Sequence, residues 1–555
     1  MELTKSYNKL RPLMIISAAV IIVAAVAFLT TDPVDEGSRF YGTFWALVPP
    51  IVAIILALVT KNVYLSLFIG ILMGAVFIGD GNLELTIMSM MDASNAEGDS
   101  WGFLGGLDTG ILFFLVVLGI IGCMLLISGG SRAYGEWALA HVKTRKGAQI
   151  MTAILGALIF IDDYFNCLTV GQVMRPVTDK FHISRAKLAY LIDSMAAPIC
   201  IIAPVSSWAA AVTSYIDEAD GFELFVQSIG YNFYALFTIV MVVVIALIDF
   251  DFGPMKKHED NAKNGDLYTT PDRPYANEKE VEINPRGKVY DLLIPIFLFL
   301  VPACITFLIW TGGFFDASSD FYGDFIGAMG NADASTALAY GSMAALVLTI
   351  IYLLGRRTVT FSQTMDCIPQ GFKNMVPAIT ILVFAWAICA ITRYGLGAPD
   401  FVKDLVGDGG DLVHLLPAAF MVLACFISFS TGTSWGTFGI LLPIVYSAFS
   451  VTNPELMIVG ISACLSGAVF GDHCSPISDT TIMSSAGAQC SHLNHVSTQT
   501  PYAVLVAAVA FVFFVIAGFW QSLIVTLIGL IVMAAVLIIL KKMQDKGMNI
   551  MDEGA

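Results

Sequence analysis

Long runs of apolar residues, separated by short polar segments, follow one another along most of the chain. An α-helix needs about 20 such residues to cross about 30 Å of hydrocarbon. The pattern predicts about 12 transmembrane helices, at residues 12–30, 44–60, 63–79, 110–128, 188–216, 222–249, 290–312, 336–354, 375–392, 456–485, 501–519 and 522–540. The fold class predicted is therefore an all-α polytopic membrane protein.

Lysine and arginine residues fall on alternate loops between these spans. Because basic residues concentrate in cytoplasmic loops, this alternation gives the orientation. The loops assigned to the cytoplasm contain Lys61, Arg132, Lys143, Arg145, Lys146, the segment 256–288, Arg356, Arg357, Lys541 and Lys542. The predicted location is the inner (cytoplasmic) membrane of a cell, with both termini in the cytoplasm.

Two segments are predicted to be re-entrant hairpins. Residues 147–179 have basic residues on both sides, so they enter and leave from the cytoplasm, and about 33 residues are too few for two full spans. The tip of this hairpin is placed at 162–169. Residues 412–449 behave in the same way from the outside, with a tip at 428–437. Non-helical backbone at this depth must be buried in protein or line a wet cavity, so both tips indicate a site.

The two hairpins belong to a predicted inverted repeat. Each is followed by a span with a Ser/Pro-rich break, Ala203-Pro204-Val205-Ser206 in one and Ser475-Pro476-Ile477-Ser478 in the other. The copies start on opposite sides of the membrane, which is typical of secondary transporters with a binding site between the repeats. The predicted organisation is 1–109 for N-terminal scaffold spans, 110–221 for the first repeat, 222–374 for scaffold spans with a cytoplasmic linker at 251–288, 375–490 for the second repeat, and 491–555 for C-terminal spans and the tail.

Composition excludes a soluble protein. Of 555 residues, 57% are hydrophobic and 13% charged, and the mean hydropathy is +0.78. The formal net charge of −16 says little about partners, because many of the carboxylates lie in hydrophilic stretches that are typical of solvated loops. The apolar composition makes the lipid bilayer the expected partner, and no nucleic acid is expected. We find no His-Glu-x-x-His and no paired-aspartate protease motif, and the ten cysteines lack paired spacing. Residues 432–436 (GTSWG) fit Gly-x-Ser-x-Gly, but they lie at the tip of a predicted helical hairpin and not on the strand-to-helix turn that a hydrolase requires. Neither an enzyme nor a cofactor is predicted.

Polar residues at the tips and breaks are the candidates for chemistry, because ionisable groups in a membrane usually mark an ion or substrate path. Sodium prefers oxygen ligands. One expected pocket contains Asp162, Asp163, Asn166, Thr169, Asp193, Ser206 and Ser207. The other contains Thr431, Thr433, Ser434, Asp472, His473, Ser475, Ser478 and Asp479. The predicted Na+ ligands are Asp162, Asp163, Asn166, Thr433, Ser434 and Asp479.

Structural alternatives remain open for these residues. Asp162 or Asp163 could cap the helix that follows the tip. Asp193 could be a structural residue paired with Arg or Lys, and His473 could be a hydrogen-bonded core histidine and not a proton carrier. The Ser and Thr residues at the tips could satisfy backbone groups that the break exposes.

Three segments resemble the signature segments of the NhaC family of Na+/H+ antiporters: 160–164 (FIDDY), 430–437 (STGTSWGT) and 470–480 (FGDHCSPISDT). That family is similar in layout to the larger ion transporter superfamily of elevator carriers, which often form homodimers. The resemblance implies an elevator-type transporter with Na+ as coupling ion. The expected function is Na+/H+ antiport with buried carboxylates as shared Na+ and proton sites. A Na+-coupled transporter or exchanger of a small organic acid or amino acid is the alternative.

Overall fold

A computed structural model of the chain describes residues 21–32, 38–60, 62–94, 100–105, 107–216, 221–271, 284–398, 400–401, 410–449 and 453–546. The predictions for residues 12–20 of the first span, for Lys61, for the middle of the 251–288 linker and for the end of the C-terminal tail lie outside these residues. The described chain is mostly helical. Its sheet consists of β1 (Ala93–Ser94) and β2 (Ser100–Trp101), which pair antiparallel with Ala93 opposite Trp101.

The helices follow in chain order. The first half contains α1 (Ile21–Thr30), α2 (Val48–Thr60), α3 (Val63–Ile78), α4 (Leu83–Met91), α5 (Gly102–Gly105), α6 (Thr109–Ser128), α7 (Gly130–His141), α8 (Arg145–Leu158), α9 (Asp163–Lys180), α10 (Arg185–Asp193), α11 (Ala197–Cys200), α12 (Ser207–Ser214), α13 (Gly221–Ile229), α14 (Phe233–Ile248) and α15 (Gly253–Lys263). The second half contains α16 (Tyr290–Ile294), α17 (Val301–Thr311), α18 (Phe325–Gly330), α19 (Ala334–Arg356), α20 (Phe361–Ala390), α21 (Leu416–Thr431), α22 (Ser434–Phe449), α23 (Pro454–Cys474), α24 (Asp479–Ala488), α25 (His492–Phe519) and α26 (Leu523–Asp545). A 3-10 turn, Phe44–Leu47, precedes α2 and another, Gly410–Leu415, precedes α21, while π-helical turns at Pro295–Leu300 and Ile391–Gly395 join α16 to α17 and extend α20.

Within the described residues, nine helical segments are long and apolar enough to cross a membrane. They are Thr109–Ser128, Gly221–Lys263, Tyr290–Thr311, Ala334–Arg356, Phe361–Gly395, Leu412–Thr431, Pro454–Cys474, His492–Phe519 and Leu523–Asp545. This confirms the expectation of a helical, multi-pass membrane protein. The count of about 12 stays a prediction, because α1, α2, α3 and α22 are apolar but shorter and the expected span 188–216 is broken into α10, α11 and α12.

The chain divides into two compact units. Unit 1 contains Met1–Leu107, Thr380–Val413 and Gly439–Pro454, and unit 2 contains Asp108–Ile379, His414–Phe438 and Glu455–Ala555. In unit 1, small residues let α3 approach its neighbours closely. A Cβ on Gly74 would lie 2.5 Å from Cγ2 of Ile391. All fifteen predicted site residues lie in unit 2.

Glycines also bring helices of unit 2 into backbone contact. A Cβ on Gly171 of α9 would lie 2.4 Å from the carbonyl carbon of Gly487 in α24, so no larger residue fits without moving a helix. Gly467 and Gly471 lie one turn apart on α23, and a Cβ on either would lie within 2.4 Å of a carbonyl oxygen of α21. These contacts hold α9 against α24 and α21 against α23.

Both predicted hairpins contain the expected break between two helices. In the first, α8 ends at Leu158 and α9 begins at Asp163, and neither helix qualifies as a span. In the second, α21 ends at Thr431 and α22 begins at Ser434. The 20-residue segment Leu412–Thr431 is long and apolar enough to cross on its own. That the second pair crosses only half of the membrane therefore stays a prediction.

The predicted linker contributes a helix, α15, which the sequence did not indicate. Its Glu259 is 1% exposed, accepts a hydrogen bond from the backbone N–H of Ser184 at 2.8 Å and forms an ion pair with Arg145. Just before the helix, Asp251 Oδ1 lies 2.5 Å from Nζ of the fully buried Lys187 in α10. These pairings are between distant parts of the chain, and they attach α15 to the helices of unit 2.

Candidate ion-binding site

The first tip places two buried carboxylates at the start of α9. Asp162 is the N-cap residue, and its Oδ1 accepts a hydrogen bond from the N–H of Phe165 at 2.9 Å. Asp163 is 0% exposed and does not cap. Within the described chain, both carboxylate oxygens of Asp163 and Oδ2 of Asp162 have no hydrogen-bond partner of acceptable geometry. We call such buried, unpartnered atoms open oxygens. Helix capping therefore explains one carboxylate oxygen of Asp162 and neither oxygen of Asp163.

Asn166 fixes the backbone on both sides of this tip. Its Nδ2 donates to the carbonyl oxygens of Gly156 at 2.7 Å, Ile159 at 2.8 Å and Met195 at 3.2 Å. A broken helix leaves carbonyls without intrahelical partners, and the amide supplies donors for them. Its Oδ1 and the hydroxyl of Thr169, both fully buried, are further open oxygens.

The first tip meets the first helix break, as expected. The backbone N–H of Ser207 donates to the carbonyl of Ile161 at 2.8 Å. Ser206 is the N-cap of α12, and its hydroxyl also donates to the carbonyl of Cys200 at 2.8 Å, so it serves the backbone. The hydroxyl of Ser207 lies beside Asp162 without a hydrogen bond of good geometry, which makes it another open oxygen.

The second tip meets the second break through an equivalent contact. The backbone N–H of Asp479 donates to the carbonyl of Gly432 at 3.3 Å. Ser478 is the N-cap of α24, as Ser206 is of α12. Asp479 itself is only partly buried. The two breaks therefore use the same serine cap and the same backbone hydrogen bond to the facing tip.

Three other predicted hydroxyls, two at the second tip and one at the second break, form hydrogen bonds with the backbone. Thr431 donates to the carbonyl of its own helix one turn back at 2.8 Å, and Thr433 accepts from the N–H of Gly436 at 3.4 Å. Ser475 donates to the carbonyl of Phe429 at 2.7 Å. The structural alternative for tip hydroxyls is thus observed at these positions.

Asp472, at the end of α23, brings the two halves of the site together. It is 2% exposed, and its Oδ2 accepts hydrogen bonds from Ser434 and Thr480, both at 3.1 Å. Its Oδ1 is an open oxygen, and it lies within electrostatic range of Asp163. Trp208 and Trp435, whose ring centroids are 5.9 Å apart, pack together and are both almost completely buried. The indole N–H of Trp208 lies beside Asp163 without a hydrogen bond of good geometry.

Asp193 has partners that the sequence analysis did not identify. Its Oδ2 accepts from Nε2 of Gln499 at 2.6 Å and from Thr481 at 3.1 Å, and its Oδ1 accepts from Ser484 at 3.2 Å. Nε2 of His495 lies 3.3 Å from Oδ2, and both side chains of this pair are 0% exposed. The carboxylate is paired with a histidine and not with Arg or Lys.

His473 lies next to this network. Its Nδ1 and the hydroxyl of Tyr234 share a hydrogen bond of 2.9 Å, and its Nε2 has no partner among the described residues. Gln499 joins it to the carboxylate, because the same Nε2 that reaches Asp193 donates to the carbonyl of His473 at 2.8 Å. The structural alternative for His473 is therefore observed for one of its ring nitrogens.

A polar stripe could have revealed the missed partners. His492, His495 and Gln499 recur at helical spacing, on one face of the segment just before the apolar run predicted from residue 501. The structure shows this segment to be the first part of α25, which starts at His492. The span prediction began too late to include them.

Four buried acids therefore lie in one region without a lysine or arginine partner. Among the residues that the structure describes, Asp162, Asp163, Asp193 and Asp472 make no ion pair with Lys or Arg. Nor do the described residues contain a group of three or more His, Cys, Asp or Glu that could hold a metal ion. Three of these acids, Asp162, Asp163 and Asp472, also have open oxygens, and because unpaired buried charge is costly, such oxygens are suited to bind protons or a cation. A cation here would be bound by a few carboxylates with hydroxyl, amide and carbonyl oxygens, as a hard monovalent ion prefers.

Apolar spans, broken helices and buried acids that meet at the breaks define the class of protein, an integral multi-pass membrane protein of secondary-transporter type. The chain belongs to the Na+/H+ antiporter family, whose sequence pattern matches residues 188–519. The resemblance seen in the signature segments is confirmed.

Relatives extend this finding over most of the chain. An uncharacterised protein of Haemophilus influenzae is 38% identical over 496 residues, which are 87% of this chain and 92% of the relative. The malate-2H+/Na+-lactate antiporter of Bacillus subtilis is 29% identical over 31% of this chain and 36% of its own. Among solved structures, MtrF of Neisseria gonorrhoeae, described with a class of antimetabolite efflux pumps, matches 81% of this chain and 86% of its own at 14% identity and a TM-score of 0.48. At this score the similarity establishes neither a shared fold nor a shared function.

Proposed function

We propose that the protein exchanges Na+ for protons, with the buried acids Asp162, Asp163 and Asp472 of unit 2 as shared sites. The observation that carries this proposal is the set of open oxygens on Asp162, Asp163 and Asp472, which have no basic partner. In apolar surroundings such carboxylates bind either protons or a cation, and the two compete. Competition for the same oxygens is sufficient for exchange, because a site loaded with one ion excludes the other.

The structure favours some of the predicted Na+ ligands over others. Asp162, Asp163 and Asn166 each have an open oxygen, which supports their assignment. Ser434 is hydrogen-bonded to Asp472 and Thr433 caps a helix, so we assign them the role of supporting the site. Asp479 is partly exposed, and Asp472 takes its place in our proposal as the acid from the second half.

We also propose that the two halves form an inverted repeat and that the protein works as an elevator-type transporter. The equivalent contacts, Ile161 with Ser207 and Gly432 with Asp479, support a common ancestry of the two halves. They favour a register in which Asp163 is equivalent to Ser434. The prolines at 176 and 443 would instead pair Asp163 with Ser430, four residues earlier. At the first tip, Asp162 and Asp163 face the hydroxyl residues Ser206 and Ser207 of the first break. At the second tip the arrangement is reversed, because the hydroxyl residues Thr433 and Ser434 belong to the tip and the acids Asp472 and Asp479 to the break.

A second candidate function is the Na+-linked exchange of a small organic acid or amino acid. It is favoured by the helix N-termini of α12 and α24 at the breaks, because such termini can receive a carboxylate. The relative that exchanges malate and lactate belongs to this class. The absence of Lys and Arg partners among the described acids makes a multiply charged anion less suitable than a zwitterion.

Proton flux in proteoliposomes tests the proposal. An imposed Na+ gradient is expected to change the internal pH of vesicles that contain the wild-type protein, without any added organic solute. Asp163→Asn should lower this flux at least tenfold, because the amide cannot alternate between binding a proton and binding a cation. Asp366→Asn, an exposed carboxylate on α20, is the matched control and should retain wild-type flux.

Two results would contradict the proposal. Wild-type flux in Asp163→Asn would remove that acid from the site. Flux in the wild-type protein that depends on an added organic acid or amino acid, and is absent with Na+ alone, would favour the second candidate function.

A further inference from the structure

Asp193 differs from the other buried acids because its oxygens are already occupied. Gln499 donates to Oδ2, the hydroxyls of Thr481 and Ser484 lie 3.1 Å from Oδ2 and 3.2 Å from Oδ1, and none of these three donors is charged. Each hydroxyl also has a second acceptor at 3.3 Å, the carbonyl of Asp472 for Thr481 and Sγ of Cys167 for Ser484. A carboxylate held in this way is stabilised in its ionised form. It would have to give up fixed hydrogen bonds to become a sodium ligand, whereas Asp163 would give up none.

The group that faces this carboxylate can take up a proton. His495 is fully buried, and its Nε2 lies 3.3 Å from Asp193 Oδ2, within ion-pair distance of the carboxylate. Among the described residues neither ring nitrogen has a hydrogen-bond partner of acceptable geometry. Imidazole is the side chain that titrates closest to neutral pH. When it is protonated, the pair is neutral overall. When it is deprotonated, the three neutral donors still stabilise the carboxylate.

We propose that the Asp193–His495 pair is a second proton-binding site of the transport cycle, separate from the acids that bind Na+. The inference rests on the proposed function, since it concerns the same exchange. It adds a proton that does not compete with Na+ for an oxygen ligand.

Two neighbouring residues of α24 connect this pair to the sodium-binding acids. The hydroxyl of Thr481 lies 3.1 Å from Asp193 Oδ2 and 3.3 Å from the carbonyl oxygen of Asp472. A hydroxyl has one hydrogen, so it can donate to only one of the two at a time. Thr480, the adjacent residue, donates to the Asp472 carboxylate. A change of charge at the Asp193–His495 pair therefore alters the hydrogen bonding of Asp472.

We assign His495, and not one of the other titratable groups around the pair, as the group that takes up the proton. Those within electrostatic range are Asp472, His473 and Cys474 from α23, Cys167 from α9 and Tyr234 from α14. His473 already shares a hydrogen bond with Tyr234. The charged groups that α8 and α15 bring to α10, Arg145 and Glu259, pair with each other at the opposite end, beside Ser184.

Proton release on Na+ binding tests the inference in the purified full-length protein. A pH indicator in weakly buffered detergent solution measures the protons released per Na+ bound, with NaCl as the only ligand. His495→Gln keeps an N–H donor but cannot titrate, and it should release about one proton fewer per Na+ than the wild type, by linkage. Its Na+ binding should persist. His414→Gln, the same change at a histidine bonded to the carbonyl of Gly518, should release as many protons as the wild type.

A second variant keeps the test decisive if His495→Gln does not fold. Thr481→Val leaves both titratable groups in place and removes their connection, so it too should release about one proton fewer per Na+. Wild-type proton release in whichever variant folds would overturn the inference. The loss of a proton in His473→Gln, with none in His495→Gln, would overturn it as well. Failure of the wild-type protein to bind Na+ at all would instead refute the proposed function.

Discussion

At the scale of single residues, identical side chains acquire different roles from their surroundings. Asp162 caps a helix, Asp163 has two open oxygens, and Asp193 is hydrogen-bonded on both oxygens. The sequence predicted all three as site residues because acids are rare in apolar segments. It could not rank them, because the partners of Asp193 are nearly 300 residues or more away; Gln499 is 306 residues further along the chain.

Asn166 gives a prediction about stability at this scale. Asn166→Ala removes the donor shared by the carbonyls of Gly156, Ile159 and Met195. The carbonyl of Gly156 keeps the N–H of Ile159 as a donor at 3.2 Å, and leaving a buried carbonyl without a donor costs roughly 1–3 kcal/mol. The midpoint of thermal unfolding in detergent should fall by several degrees. Asn374→Ala, at an exposed asparagine, is the matched control and should unfold within about a degree of the wild type. Equal midpoints for both variants would show that Asn166 does not hold the first tip.

At the scale of helices, serine and proline residues made the breaks predictable. The Ser/Pro segment 203–206 lies between α11 and α12, and the segment 475–478 lies between α23 and α24. Each segment ends in a serine that caps the following helix. The helix α15 was not predictable in the same way. Its sequence is polar, and it is attached to unit 2 by ion pairs such as Glu259 with Arg145, which link residues 114 positions apart. Tertiary pairing of this kind leaves no local pattern.

The contact between α9 and α24 gives a prediction at this scale. Gly171→Ala places a methyl group 2.4 Å from the backbone of Gly487, so the helices must separate, and overpacking of this kind costs about 1–3 kcal/mol. We expect a lower thermal midpoint and a several-fold loss of Na+-driven proton flux, because α24 carries Thr480 and Thr481. Gly355→Ala in α19 has nothing within 4 Å of the new methyl group and should behave as the wild type. Wild-type flux and midpoint in Gly171→Ala would show that this close approach is not needed.

At the scale of the whole molecule, hydropathy gave the class and the signature segments gave the family. Nine described segments are long enough to span a membrane, and residues 188–519 match the Na+/H+ antiporter family. The orientation of the termini, the homodimer and the elevator motion stay predictions, because each depends on the membrane or on a second chain. The candidate site depends on neither, since its acids and their partners all lie within unit 2.

The most direct test of this account is to locate a bound monovalent cation. Thallium(I), a heavy substitute for monovalent cations, can be introduced into crystals of the full-length protein and found by its anomalous scattering. The account predicts a peak in contact with the carboxylate of Asp163, reduced by competing NaCl and absent from Asp163→Asn crystals. A peak that lies against Asp193 and not against Asp163, or no peak in unit 2, would contradict it.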